Sequence, residues 1–154
     1  MANGWPPQVT FGGGCRFDAS LRVWHPSLDP RLIASALSMR PQRSCKVGDR
    51  RRSPKGRLLP GYEKQSFCSF PVVGRVAAEA EAMTAAEFVT AVGRFLDRLS
   101  RKAQFMREIR AGGGGADLFV GWFFTIFAVL PLEHGWLGKL GELEIDLNLD
   151  TYAS

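Results

Sequence analysis

His25, His134, Cys15, Cys45 and Cys68 are the side chains suited by type to thiol, metal or acid–base chemistry. Zinc sites take four N or S ligands, usually with a C-x-x-C or H-x-x-x-H element. No two of these five lie close enough in sequence to form one, and no metal or other cofactor is expected. A nucleophile elbow of the form G-x-S-x-G is absent as well. Cys45 and Cys68 therefore read as small buried hydrophobes. A Cys–His pair assembled in space keeps an enzyme of unknown chemistry as a third functional reading. The run Gly112 to Gly115 follows a helical pattern instead of preceding one. Phosphate cradles place backbone amides at a helix N-terminus, so these glycines read as a helix stop and tight turn.

The dominant surface signal is a basic tract: Arg40, Arg43, Lys46, Arg50, Arg51, Arg52, Lys55 and Arg57, against the single acid Asp49. Such a tract suits an acidic protein surface or the phosphates of a nucleic acid. It also suits a solvated loop with no partner. Aromatic side chains that would stack on bases are sparse, with only Tyr62 close by. Gly48 and Asp49 form a turn signal, in which Asp49 binds backbone amides or a nearby arginine; a ligand contact is the competing reading.

The elements that must position these residues follow from periodicity. The chain has 154 residues, enough for one domain with a hydrophobic core. Residues 1–77 hold 13 Lys/Arg against 4 Asp/Glu, and residues 78–154 hold 7 against 11, so a basic end and an acidic end are expected. The N-terminal MANGWPPQ has neither the charged nor the apolar region of a signal peptide. Leu118 to Leu132 is apolar but falls short of the ~20 residues that span a bilayer. An odd cysteine count at wide spacing gives no disulfide framework. A cytoplasmic protein without a membrane partner is expected.

Residues 1–14, rich in Gly and Pro, read as a flexible lead-in. Phe17, Ala19, Leu21 and Val23 alternate with polar residues, which predicts a half-buried strand. Asp29 as N-cap and Pro30 at the first helical position start a short helix, with Leu28 and Ile33 as a staple and Pro41 as its limit. The basic tract reads as a long loop with one short strand near Cys45 to Val47. Gln65 to Val73 is the next strand. Thr84 and Glu87 form a capping box for a helix over about residues 85–110, with an Asp97–Arg101 pair on its surface. The apolar stretch Ala116 to Phe127 is greasy on both sides and reads as the central strand. A short helix over Glu133 to Leu140 follows, with Trp136, Leu137 and Leu140 inward and Gly141 as C-cap. Leu143, Ile145, Leu147 and Leu149 mark a last half-buried strand.

The predicted fold class is α+β: an antiparallel or mixed sheet with helices packed on one face. The order β-α-β-β-α-β is that of a ferredoxin-like unit, followed by a short helix and strand. Residues 15–152 read as a single α+β domain.

Several of these segments resemble the bacterial family named domain of unknown function 4279. Its opening signature has the form D-P-x-x-I, L, P, G-D. It matches Asp29-Pro30, Ile33, Leu37, Pro41 and Gly48-Asp49. The long helix Phe88 to Ile109, then Asp117-Leu118-Phe119 and Gly121-Trp122, is similar to the family's helix and following strand. Leu140 to Tyr152 is similar to its last strand with a terminal Tyr. The match covers roughly residues 15–152. Gln65-Ser66-Phe67-Cys68 departs from the Trp often found in the family's third strand, and the basic loop and the Glu79 to Met83 insert are longer than usual. The resemblance implies a small α+β domain without an assigned activity. By analogy alone, it also brings to mind the immunity factors found beside bacterial toxins. The reading that results is a non-enzymatic binding protein with an acidic protein partner at the basic loop, and nucleic acid is the alternative partner.

Overall fold

The computed structural model describes residues 16–73, 84–124 and 129–153. The lead-in 1–14, Cys15, the Glu79 to Met83 insert and the end of the apolar stretch, including Ile126 and Phe127, lie outside the described residues.

Strand β1 (Arg16–His25) follows the period-two pattern, and Phe17, Ala19, Leu21 and Val23 are all buried. Helix α1 (Pro30–Leu37) starts as its cap residues dictate. The Asp29 carboxylate accepts from the Arg31 amide at 2.8 Å, and Pro30 takes the first position. The helix ends ahead of Pro41, because Ser38 turns left-handed at φ 55° and the Met39 amide closes on the Ala34 carbonyl at 3.1 Å.

The tract expected as a long loop with one short strand near Cys45 to Val47 holds two strands, β2 (Arg43–Cys45) and β3 (Arg50–Arg52). β4 (Leu58–Tyr62) follows it and pairs with β3 into a separate two-stranded ribbon. β5 (Ser66–Val73) follows.

The capping box forms: Thr84 Oγ1 accepts from the Glu87 amide at 3.1 Å, and Glu87 Oε2 accepts from the Thr84 amide at 2.9 Å. The single helix expected over 85–110 is two helices. α2 (Ala85–Leu99) passes through a 3-10 turn at Ser100–Lys102 into α3 (Ala103–Ala111). Ser100 Oγ donates back to the Leu96 carbonyl at 2.9 Å, a local bond that competes with regular helical pairing. Asp97 pairs with Lys139 across to α4 (His134–Glu142), not with Arg101. On α4, Trp136 and Leu140 are buried while Leu137 is 45% exposed, and the helix runs past Gly141 to Glu142, beyond which Glu144 turns left-handed at φ 54°.

β6 (Gly115–Phe124) starts immediately after the glycine run. A Cβ at Gly114 would stand 2.4 Å from the Trp24 carbonyl oxygen, so glycine is what lets the two chains pass. β7 (Asp146–Ala153) runs parallel to β6, with α4 as the connection that parallel neighbours need. The main sheet is mixed, in the order β2-β5-β1-β6-β7. The middle position therefore belongs to β1. β6 is interior, flanked on both sides, but not central. Its second apolar face has a different cover from a helix: Phe119 and Phe123 lie under arginines.

One core joins the buried alternates of β1, β5 and β6 to Ile33 and Leu37 of α1 and to Phe88, Val92, Leu96, Met106 and Ile109 of the long helical segment. Phe17 stacks on Phe88 with ring centroids 4.3 Å apart, which pins β1 to α2. The opposite face of the sheet carries the polar alternates.

Candidate functional site

The β3–β4 ribbon is built from the turn residues outward. Gly48 adopts φ +87° and its amide donates to the Glu63 carbonyl at 2.9 Å. Asp49 Oδ2 accepts from the Lys46 amide at 2.8 Å, and the Glu63 amide donates to the Asp49 carbonyl at 2.8 Å. The Gly48-Asp49 pair thus shapes a turn and closes the ribbon's base. At the far end the Ser53 amide donates to the Arg57 carbonyl at 2.8 Å, and Ser53 Oγ accepts from the Arg57 amide at 3.1 Å.

Between these ties Arg50, Arg51, Arg52, Lys55 and Arg57 are all exposed. The Arg50 guanidinium lies 5.5 Å from the Tyr62 ring centroid, and Arg52 donates to the Gly56 carbonyl at 3.1 Å. None of the five is ion-paired among the described residues. Leu58 and Tyr62 stand beside them, 51% and 59% exposed. Arg52 is the register partner of Leu58 and Arg50 of Tyr62, so cationic and apolar groups alternate along one small surface.

The rest of the basic tract goes elsewhere. Lys46 pairs with Asp29 at 3.2 Å, at the cap of α1. Arg43 lies on β2 opposite Ser69. Arg40 lines a cleft beside α1. The eight cations clustered in sequence are spread over four places in space. That cleft also takes Arg98, Arg101 and Lys102 from the second half of the chain.

Among the described residues the candidate histidines and cysteines have separate local roles, although Cys45 and Cys68 lie on the paired strands β2 and β5. His25 Nδ1 accepts from the amides of Ser27 and Leu28, at 3.1 and 2.9 Å, and so organises the turn into α1. His134 is exposed at the start of α4. Burial pushes the Cys68 thiol up to about 11, with Cys45 and Asp29 adding to the shift, and Cys68 Sγ lies 3.4 Å from the Pro30 carbonyl oxygen. Burial raises the Cys45 thiol too. Activated thiols shift the other way. No group of three or more His, Cys, Asp or Glu fit to hold a metal occurs among the described residues.

A network absent from the sequence reading crosses the polar face of the sheet. Arg22 on β1 and Asp117 on β6 are direct register partners. Arg22 Nε donates to Asp117 Oδ1 at 2.7 Å and Nη2 to Oδ2 at 2.6 Å, while Asn148 of β7 donates to Oδ2 at 2.5 Å. These bonds hold the Arg22 guanidinium above its ordinary value, against the opposing effect of burial. The guanidinium also lies 4.5 Å from the Phe119 ring centroid. A second row runs Arg16, Phe123, Tyr152: Arg16 lies 4.4 Å over Phe123, and Phe123 stacks on Tyr152 at 4.6 Å. Tyr152 donates to Asp150, and that bond raises its hydroxyl. Both Asp117 oxygens accept from side-chain donors, so this row ties three strands together. Its one sequence signal is Asp117, a lone carboxylate at the head of an apolar run.

A comparison with protein families matches residues 15–154 to the domain of unknown function DUF4279. The chain belongs to this family. The match spans every described element of the DUF4279 domain, from β1 to β7. No curated protein and no solved structure matches the chain. No helix among the described residues is long and apolar enough to cross a membrane.

Proposed function

We propose that this DUF4279 protein is a non-enzymatic binding protein that recognises an acidic protein surface through the β3–β4 ribbon. The observation that carries the reading is the exposure of Leu58 and Tyr62 beside Arg50 and Arg52. Tyr and Arg are enriched in protein–protein hot spots, where an aromatic or arginine anchor is ringed by groups that exclude water. A purely electrostatic contact needs no exposed leucine. The fold that presents the ribbon reads as a ferredoxin-like unit, supported by the neighbour order β6-β1-β5-β2, with β7 added outside β6. A cytoplasmic setting is supported by the free thiols of Cys45 and Cys68, and a bacterial one by the family resemblance alone. An immunity-type role is the form of this reading that the family resemblance brings.

Nucleic acid is the second reading, because a two-stranded ribbon fits the major groove and three successive arginines can meet phosphates. The experiment is an affinity capture from host lysate, with and without nuclease, using wild-type protein, R50E/R51E/R52E and L58D. A partner retained by wild type after nuclease and lost by both variants supports the protein reading. Loss on nuclease treatment, with affinity falling steeply in salt and L58D unaffected, moves the ribbon to nucleic acid. Equal capture by all three proteins removes the ribbon from the mechanism.

A further inference from the structure

The cleft beside α1 lies apart from the β3–β4 ribbon, none of whose residues lines it. It measures about 440 Å³, within the ~300–1,000 Å³ typical of small-molecule sites. Its accessible apolar side is Met39 just past α1 and Pro71 of β5, backed by Leu37, Phe70, Phe95 and Leu99, which are themselves 4% exposed or less. Its polar side is Arg40, Arg98, Arg101 and Lys102, together with Ser38, and no carboxylate lines it among the described residues.

Three separate local features bring the cations together. The left-handed Ser38 turns the chain out of α1 and places Arg40 at the wall. Arg98 lies in the last turn of α2, and Arg101 and Lys102 follow on the 3-10 turn, so all three reach the cleft. The 3-10 turn at Ser100–Lys102 ends α2 at the cleft, and Lys102 Nζ donates across it to Ser38 Oγ at 3.4 Å. The Arg98 guanidinium lies 6.0 Å from the Phe95 ring centroid. Arg40 and Arg101 have no hydrogen-bond or ion-pair partner among the described residues.

We infer that this cleft binds a small phosphorylated molecule with a compact apolar or aromatic body. Four cations without a counter-charge repel one another, and a ligand that gathers them relieves that repulsion. A carboxylate brings one negative charge. A phosphomonoester brings about 1.5 to 2 at neutral pH and three acceptor oxygens, which match the forked donors of arginine. Half-buried Met39 and exposed Pro71 take the apolar body, so inorganic phosphate alone satisfies half of the site.

The test is calorimetric titration of the full chain at low salt with 1-naphthyl phosphate, inorganic phosphate and 1-naphthol. Saturable binding of the whole probe, about tenfold tighter than either half, is the expected result. R101E/K102E should weaken it by about tenfold or more, and R107Q, exposed on α3 and outside the cleft lining, should leave it unchanged. Circular dichroism melts check that the variants fold. If R101E/K102E does not, R40Q, on the exposed chain leaving α1, decides by its own several-fold loss. The inference is overturned if the probe does not saturate, if inorganic phosphate binds as tightly, or if the folded variants bind like wild type. Binding of a phosphoserine peptide where naphthyl phosphate fails overturns it as well and makes the cleft a peptide site.

Discussion

Arg22 and Arg51 both sit on strands, and the surroundings of the two could hardly differ more. Arg22 is about a third exposed, bonded twice to a carboxylate that is itself 5% exposed, and covered on one side by Phe119. Arg51 belongs to an exposed ribbon with no ion pair among the described residues. The polar row of the main sheet uses its charge internally, to tie β1, β6 and β7 together. The ribbon leaves its charge outward. Charge that stabilises a fold and charge that is available to a partner are therefore separated into different regions, and each region can be damaged without the other.

The largest expected effect on stability is at the row. D117A strands the half-buried Arg22 and removes the acceptor of Asn148. Urea melts should show a loss of about 2–3 kcal/mol, the lower end for a broken buried pair because Arg22 retains some water. A loss no greater than that of R51A would erase the contrast. R22K is the next step down. It keeps the charge and gives up the two-bond fork, so a loss of about 1 kcal/mol is expected. Asp29, at the cap of α1, lies between the regions. Its carboxyl is held below the usual range by the Arg31 amide first and Lys46 second. A depressed folded value stabilises above the unfolded pKa and loses that contribution as pH falls through the folded one. D29N keeps the cap and removes the charge. The wild-type advantage over D29N should hold near neutral pH and close below about pH 4, which melts across pH will read. A gap independent of pH would remove the charge from the cap. The smallest effect belongs to the ribbon, where R50E/R51E/R52E should change stability by less than about 0.5 kcal/mol while abolishing partner binding.

Local signals in the sequence located most of the fold. The alternation from Phe17 to Val23, the Asp29-Pro30 start and the Thr84–Glu87 box each report a contact made within a few residues, and each forms as read. The ribbon's charge was visible, but its hairpin was hidden because β3 spans three arginines and lacks any apolar alternation. The 3-10 turn was hidden because Ser100 fits a helical pattern until its hydroxyl bonds backward. The Arg22–Asp117 row was illegible for a different reason. Its members stand 95 residues apart, and only strand register brings them face to face. The cleft shares that obstacle, since Arg40 and Arg101 meet only after α1 and α2 have docked on β5.

The position of β1 has a consequence for synthesis on the ribosome. The strand at the middle of the sheet leaves the exit tunnel before either of its neighbours exists. β5 is about forty residues behind it and β6 about ninety. At the ~5–20 residues per second of translation, Leu21 and Val23 wait seconds without a lateral partner. That interval is when a nascent strand pairs wrongly or recruits a chaperone. A synonymous slow codon placed between β1 and β5 should lengthen the wait and lower the yield of folded protein, while the same change after β6 should not.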